Sequence, residues 1–198
     1  DAQESRGLGD VYKRQVLASA SPRRLALLEQ VGVECEVIPS EREEIIREIS
    51  PERIVRQLAS DKAHDVFDRL PGTDGNTLVI GADTVVAVDG RILGKPHSYE
   101  EAFDMIKLIR GREHNVITGV DIIGKDREVC FSEVTGVRVY PMSDEEIEEY
   151  LSCGESMDKA GAYGIQGFFA AYILGINGDY NNVVGLPVSR LIHEIKKM

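Results

Sequence analysis

Leu78-Val79-Ile80-Gly81-Ala82-Asp83-Thr84-Val85-Val86 is an apolar run, rich in β-branched residues, with one carboxylate set inside it. It lacks the alternation of a half-exposed strand, so it reads as a buried strand with apolar layers on both faces. Asp83 cannot lie in such a strand without partners, because a bare buried carboxylate costs several kcal/mol or takes up a proton. It therefore needs donors, a metal ion or a place where the strand opens into a cleft. A structural Asp bonded to a loop's N–H groups and a functional Asp both satisfy this. Gly81 and Ala82 fit the close approach of a ligand or of neighbouring backbone.

The chain has 198 residues, enough for one large domain or two lobes sharing a sheet. An apolar content of 42% and a charged content of 29% are ordinary for a soluble protein. A formal net charge of −11 argues against general affinity for nucleic acid or anionic membrane, so a small anionic ligand would need a local basic pocket. Cys35, Cys130 and Cys153 lie far apart, which supports neither a disulfide framework nor a zinc site and suits a reducing cytoplasm. No apolar run approaches the length of a membrane span or forms a signal core. Residues 1–15 mix charges with glycines and show no periodicity, and are expected to be a disordered lead or one introduced by cloning, with a single domain over 16–198.

Val16 to Ser21 reads as a strand passing into a helix that starts Pro22-Arg23-Arg24, with Ser21 as N-cap, Leu25, Leu28 and Val31 facing inward, and Gly32 as the stop. Two arginines in a first turn oppose the helix dipole unless an anion sits there; solvated surface arginines are the alternative. Cys35 to Ile38 is a second strand, followed by the acidic Ser40-Glu41-Arg42-Glu43-Glu44. One of these carboxylates could share a divalent cation with Asp83, though such clusters are usually solvated loops. Ser50-Pro51-Glu52 opens a helix whose stripe is Ile54, Leu58, Ala59, Ala63, Val66 and Phe67, with Lys62 beside it as a snorkelling lysine or a ligand.

Asp89-Gly90 predicts a hairpin, after which Gly94-Lys95-Pro96 could hold an ammonium over a phosphate. Capping patterns at Ser98 and Ser143 predict two further helices, separated by long strands over His114 to Ile123 and Arg127 to Tyr140. Asp158 to Gly167 carries three glycines at intervals of three and Gln166, which offers a base edge both a donor and an acceptor; a plain glycine-rich loop is the other reading. Phe168 to Ile176 has strand character, and Gly185-Leu186-Pro187 starts a terminal helix.

Ser19-Ala20-Ser21-Pro22-Arg23-Arg24, Gly81-Ala82-Asp83-Thr84, Gly94-Lys95-Pro96, Asp158 to Gly167 and Asn182-Val183-Val184-Gly185-Leu186-Pro187 together resemble, in order and spacing, the Maf family of nucleoside triphosphate pyrophosphatases. The resemblance runs from Val16 to nearly the end. It implies an α/β fold similar to the inosine triphosphate pyrophosphatases (Maf/Ham1), with a long bent mixed sheet, flanking helices and two lobes around a cleft, usually as a homodimer. It also implies hydrolysis between the α- and β-phosphates in the cytoplasm with a divalent cation, Mg²⁺ or Mn²⁺. By motif, Asp83 is then the catalytic acid/base, and Glu44 and Asp83 hold the metal. Arg23, Arg24, Lys62, Lys95 and Lys159 would bind phosphate and Ser21, Thr84 and Gln166 would also contact substrate, while Arg23, Thr84 and Gln166 fall at the specificity positions of the dTTP/UTP branch. The lead up to Gln15 and the bulky pair Phe168-Phe169 depart from the family pattern. The chemistry agrees, since phosphoanhydride hydrolysis asks mainly for an aligned water, cations on developing charge and fixed phosphates. Two alternatives stand beside it: a pyrophosphatase for a modified nucleotide such as 7-methyl-GTP, and a nucleotide-binding regulator of cell division (a septum formation inhibitor).

Overall fold

The computed structural model describes residues 14–71 and 76–198; the expected lead lies outside the described residues up to position 13. Strands β1 (Arg14–Leu17), β2 (Glu36–Val37), β3 (Thr77–Val88), β4 (Arg91–Leu93), β5 (Glu113–Ile123), β6 (Glu128–Val139) and β7 (Ile173–Asn177) form a mixed sheet in the order β2-β1-β3-β5-β6-β7, with β4 paired to β3. Helices α1 (Pro22–Gln30), α2 (Pro51–Arg69), α3 (Tyr99–Ile109), α4 (Asp144–Ser152), α5 (Tyr180–Val184) and α6 (Val188–Ile195) complete the α/β fold. The chain divides into two units. The first takes the described residues up to Asp83 with Gly119–Ser132 and Gly185–Met198; the second takes Thr84–Thr118 and Glu133–Val184.

In the first unit β1 pairs in parallel with both β2 and β3, and Val16, Ala18, Val79 and Ile123 pack under Ala63 and Val66 of α2. The run from Thr77 to Ala82 is buried without interruption, as a strand covered on both faces requires. β1 begins at Arg14, two residues earlier than the apolar pattern indicated, because parallel pairing to Thr77 and Leu78 satisfies its backbone. The close approach expected at Gly81 is extreme: a Cβ there would lie 2.2 Å from Ala59 O and 2.8 Å from Ala63 Cβ. Gly119 meets Val55 O in the same way, at 2.2 Å. α1 is rotated from its expected phase. Arg24, Leu27 and Leu28 are buried while Val31 is 42% exposed, because Arg24 is drawn inward by polar partners described below.

In the second unit the Asp89-Gly90 hairpin forms as expected, with φ of 49° and 74° and Val86, Ala87 and Val88 paired antiparallel to Leu93, Ile92 and Arg91. Ser98 caps α3 by accepting from Glu101 N, and Ser143 with Glu146 makes a full capping box on α4. Ala102, Ile106, Ile109, Ile147 and Tyr150 are wholly buried in its core. Residues Phe168–Tyr172, expected as strand, form a 3₁₀ turn instead, with the strand confined to β7. Aromatic packing overrides the strand pattern: Phe169 turns inward against Tyr150 and Tyr163 at centroid distances of 4.9 and 4.7 Å.

Gly81→Ala is expected to lower stability by about 1–3 kcal/mol or more, since backbone and not a flexible side-chain end blocks the new methyl. Gly94→Ala, where nothing lies within 4 Å, serves as the control and should shift stability by less than about 0.5 kcal/mol in a denaturant melt. His114 gives a pH signature. It is 2% exposed, its Nε2 lies 2.6 Å from the Tyr163 hydroxyl, its Nδ1 has no partner, and burial pushes its pKa down to about 4. The unfolded chain, with a histidine near its ordinary value of about 6.5, therefore binds more protons than the folded one between these limits. Stability from this group is present above about pH 6.5 and is lost as pH falls toward about 4, by roughly 3 kcal/mol in all. Against wild type, His114→Gln should lose less stability over that window, measured as the difference between the two proteins' melts at matched pH.

Candidate active site

The first unit gathers Asp83, Lys62 and Glu44. Asp83 sits in the second half of β3, two residues beyond Gly81, and Lys62 lies on α2 next to Ala63, the residue packed on that glycine. The close helix–strand approach places Lys62 Nζ 2.6 Å from Asp83 Oδ1, with the two side chains only 17% and 13% exposed. The same Nζ lies 2.7 Å from Glu44 Oε1. One ammonium thus bridges the two carboxylates that the sequence assigned to a shared cation.

Glu44 arrives there because the acidic loop is strapped along one face of α2. Gln57, Asp61, Asp65 and Arg69 recur every fourth residue, and each takes part. Gln57 donates to Ile45 O and accepts from Arg47 N, both at 2.8 Å. Asp61 accepts the Arg47 guanidinium at 2.8 and 2.7 Å. Asp65 accepts from Ser40 Oγ at 2.8 Å and Glu41 N at 2.9 Å, and these bonds together with Arg69 outweigh desolvation and hold its carboxyl below the usual range. Sequence reading missed this ladder, although its i, i+4 spacing of polar residues was visible.

Arg24 is buried, donating from Nε to Gly185 O at 2.8 Å and from a terminal nitrogen to Ser19 Oγ and Ala82 O, each at 2.9 Å. Burial pushes its pKa down, opposed by the charge of Asp83. Arg23 is half-buried on the same turn. Ser21 stands at the N-cap position but its hydroxyl does not cap α1; its own N–H instead donates to Ser19 Oγ at 3.3 Å.

The second unit holds Thr84, Lys95, Lys159 and Gln166. Thr118 Oγ1 gives its single proton to Asn182 O at 3.1 Å, so across the 2.9 Å contact with Thr84 the donor is Thr84. Asn182 in turn donates to Val116 O and Thr135 Oγ1 at 3.1 and 3.0 Å. Lys95 is exposed, and its neighbour Gly94 accepts from Gly161 N at 2.9 Å, tying its loop to the glycine-rich stretch. In that stretch Gly161 and Ala162 both have left-handed φ, of 68° and 62°. Ala162 adopts this strained form while Tyr150 donates to its carbonyl at 3.1 Å. Lys159 donates to Asp158 Oδ1 at 2.7 Å and to Glu155 O, with its stem laid over Gly164. Gln166 is exposed, and Glu155 fixes the next peptides by accepting from Phe168 N at 2.8 Å. Glu155 was not singled out in the sequence, and no local pattern marks it.

The sequence model for "Maf-like protein" matches residues 14–198. The chain belongs to the Maf family. Relatives named dTTP/UTP pyrophosphatase include those of Agathobacter rectalis, 49% identical over 92% of this chain and 96% of its own, and Lachnoclostridium phytofermentans, 46% identical over 92% and 93%. One from Bacillus cereus is 46% identical over 96% of this chain and 92% of its own. Among solved structures, the Staphylococcus aureus Ham1 protein aligns with 81% of this chain and 79% of its own at 16% identity and a TM-score of 0.47.

Within the Maf motif Ser19 to Arg24, the second arginine is thus committed to protein acceptors. Arg24→Met should cost about 2–4 kcal/mol, because Ala82 O and Gly185 O would lose a charged donor in a buried place. A chemical melt of Arg24→Met beside Arg23→Met checks this, the half-buried Arg23 being expected to cost less.

Proposed function

We propose that the chain is a nucleoside triphosphate pyrophosphatase that hydrolyses dTTP and UTP to the monophosphate and pyrophosphate. The observation that carries this reading is 46–49% identity, over more than nine-tenths of the chain, to relatives named for that activity. The names of these relatives favour dTTP and UTP over 7-methyl-GTP, and catalysis over a purely regulatory role.

The cluster around Lys62 supports the chemistry. Asp83 is the carboxylate assigned to take the proton from an attacking water, and without ligand Lys62 holds it through the 2.6 Å ion pair. The donor set suits a hard divalent cation, since Asp83 and Glu44 already direct carboxylate oxygens at one positive centre. Bound by those two residues, Mg²⁺ or Mn²⁺ would offset phosphate charge and make a water easier to ionise. Lys62 would then turn toward a phosphate oxygen, as its sequence assignment requires. Arg23, Lys95 and Lys159 are assigned to the remaining phosphate charge, and Thr84, Gln166 and Arg23 to the base. Thr84, having given its proton to Thr118, faces a further partner as an acceptor. A homodimer acting in the cytoplasm completes the proposal; among the described residues no helix is long and apolar enough to cross a membrane.

A panel of nucleoside triphosphates with Mg²⁺ or Mn²⁺, read for pyrophosphate as distinct from orthophosphate, tests the activity. dTTP and UTP should lead, and orthophosphate release would refute the cleavage position. In the same assay Asp83→Asn should lower kcat by roughly 10² or more with a smaller change in KM. An Asp83→Asn protein that melts early but keeps its kcat per folded molecule would make Asp83 structural.

A further inference from the structure

A second group of ligand-type side chains lies in the first unit, away from Lys62. His64 follows Lys62 by two positions on α2 and so projects about 200° round the helix from it. There it meets Asp121 of β5 and Glu128 of β6, with one ligand atom from each of the three residues within 4.8 Å of the others. Asp121 is wholly buried, yet neither carboxyl oxygen has a hydrogen-bond partner. Ser60 and Glu128 influence it without closing a bond of normal length and angle.

We propose that His64, Asp121 and Glu128 bind a divalent transition-metal ion of the zinc class, at a site separate from Asp83 and Glu44. The ligand set decides the class: an imidazole with two carboxylates suits zinc-type ions, whereas Mg²⁺ and Ca²⁺ favour oxygen throughout. Its charge also balances, two carboxylates and a neutral imidazole against a dication. His64 Nε2 and Glu128 Oε1 are 3.1 Å apart. Two ligands on one ion with bonds of about 2.1 Å stand about 3.0–3.4 Å apart, so this edge needs almost no rearrangement. His64 and Glu128 are half-exposed, with side chains 42% and 44% accessible, which gives the ion an entry path and leaves water the remaining positions. A bound ion would tie α2 to the β5–β6 hairpin, clamping the helix that carries Lys62.

The test uses the full chain, stripped with a chelator and titrated with Zn²⁺ in excess Mg²⁺, which occupies all-oxygen sites. Wild type should bind one Zn²⁺ that His64→Gln binds at least about tenfold more weakly, with a rise in Tm on Zn²⁺ addition that the variant lacks. Co²⁺ in place of Zn²⁺ should give a visible absorption band that disappears in His64→Gln. His64 is half-exposed, so His64→Gln should fold, and circular dichroism checks it; Asp121→Asn, though buried, should repeat the loss. Zinc held at Asp83 and Glu44 would persist in His64→Gln and so subtracts out. Absence of saturable Zn²⁺ binding in wild type, or unchanged stoichiometry and affinity in His64→Gln, would overturn the proposal.

Discussion

The backbone of α2 lies directly on the backbones of β3 and β5, and this contact sets the first unit's chemistry. At Gly81 and Gly119 a methyl group would fall 2.2 Å from a helix carbonyl, so the separation exists only because both strands lack a side chain there. Lys62 is the next residue before Ala63, and Asp83 is the next same-face residue after Gly81. Their 2.6 Å pair follows from the packing rather than from electrostatic search, because a side chain at position 81 would push the helix away and open the pair. Ala59 and Ala63, small residues in the middle of a helix stripe, are the other half of the same fit.

Much of this was legible in the chain. The uninterrupted apolar run with a carboxylate inside, the glycine two residues before it and the small residues on the α2 stripe all carry direct physical meaning. So do the Asp-Gly turn and the capping serines Ser98 and Ser143. What was not legible came from partners distant in sequence. The phase of α1 was misread because Arg24 counts as polar by pattern, yet its guanidinium is satisfied by carbonyls at positions 82 and 185 and can be buried. Phe168 to Tyr172 looked like strand because aromatic residues favour strands, and local pattern does not reveal that Phe169 has a pocket of tyrosines to fill. Ser21 holds the cap position without the bond, its hydroxyl accepting from no amide of the first turn.

A chain with a formal charge of −11 repels phosphates at long range, so any nucleotide must be held by local cations. Two of the assigned cations are not loose. Lys62 rests on two carboxylates and Lys159 on Asp158, so each has an internal acceptor in place. For the proposed function this arrangement has a physical use. A lysine already held near its working position loses less rotamer freedom when it turns to a ligand than one drawn from solvent. The internal partners also limit attraction for the many other anions of a cell, since each must compete with a carboxylate already in contact.

The motif Asn182 to Pro187, one of the five that carried the family resemblance, has no side chain among those assigned to the reaction. Asn182 is wholly buried and binds Val116 O and Thr135 Oγ1, while Thr135 both donates to Asp179 O and accepts from Asp179 N. Its own carbonyl takes the Thr118 proton, and that choice obliges Thr84 to donate to Thr118. In this motif Asn182 serves as scaffold, fixing the proton direction of one hydroxyl through a chain of buried bonds. Replacing Asn182 by an apolar residue of similar size would remove its bonds to Val116 O and Thr135 Oγ1, but the main-chain carbonyl that directs Thr118 would remain. Such a change should be felt more in stability than in the polarity of Thr84.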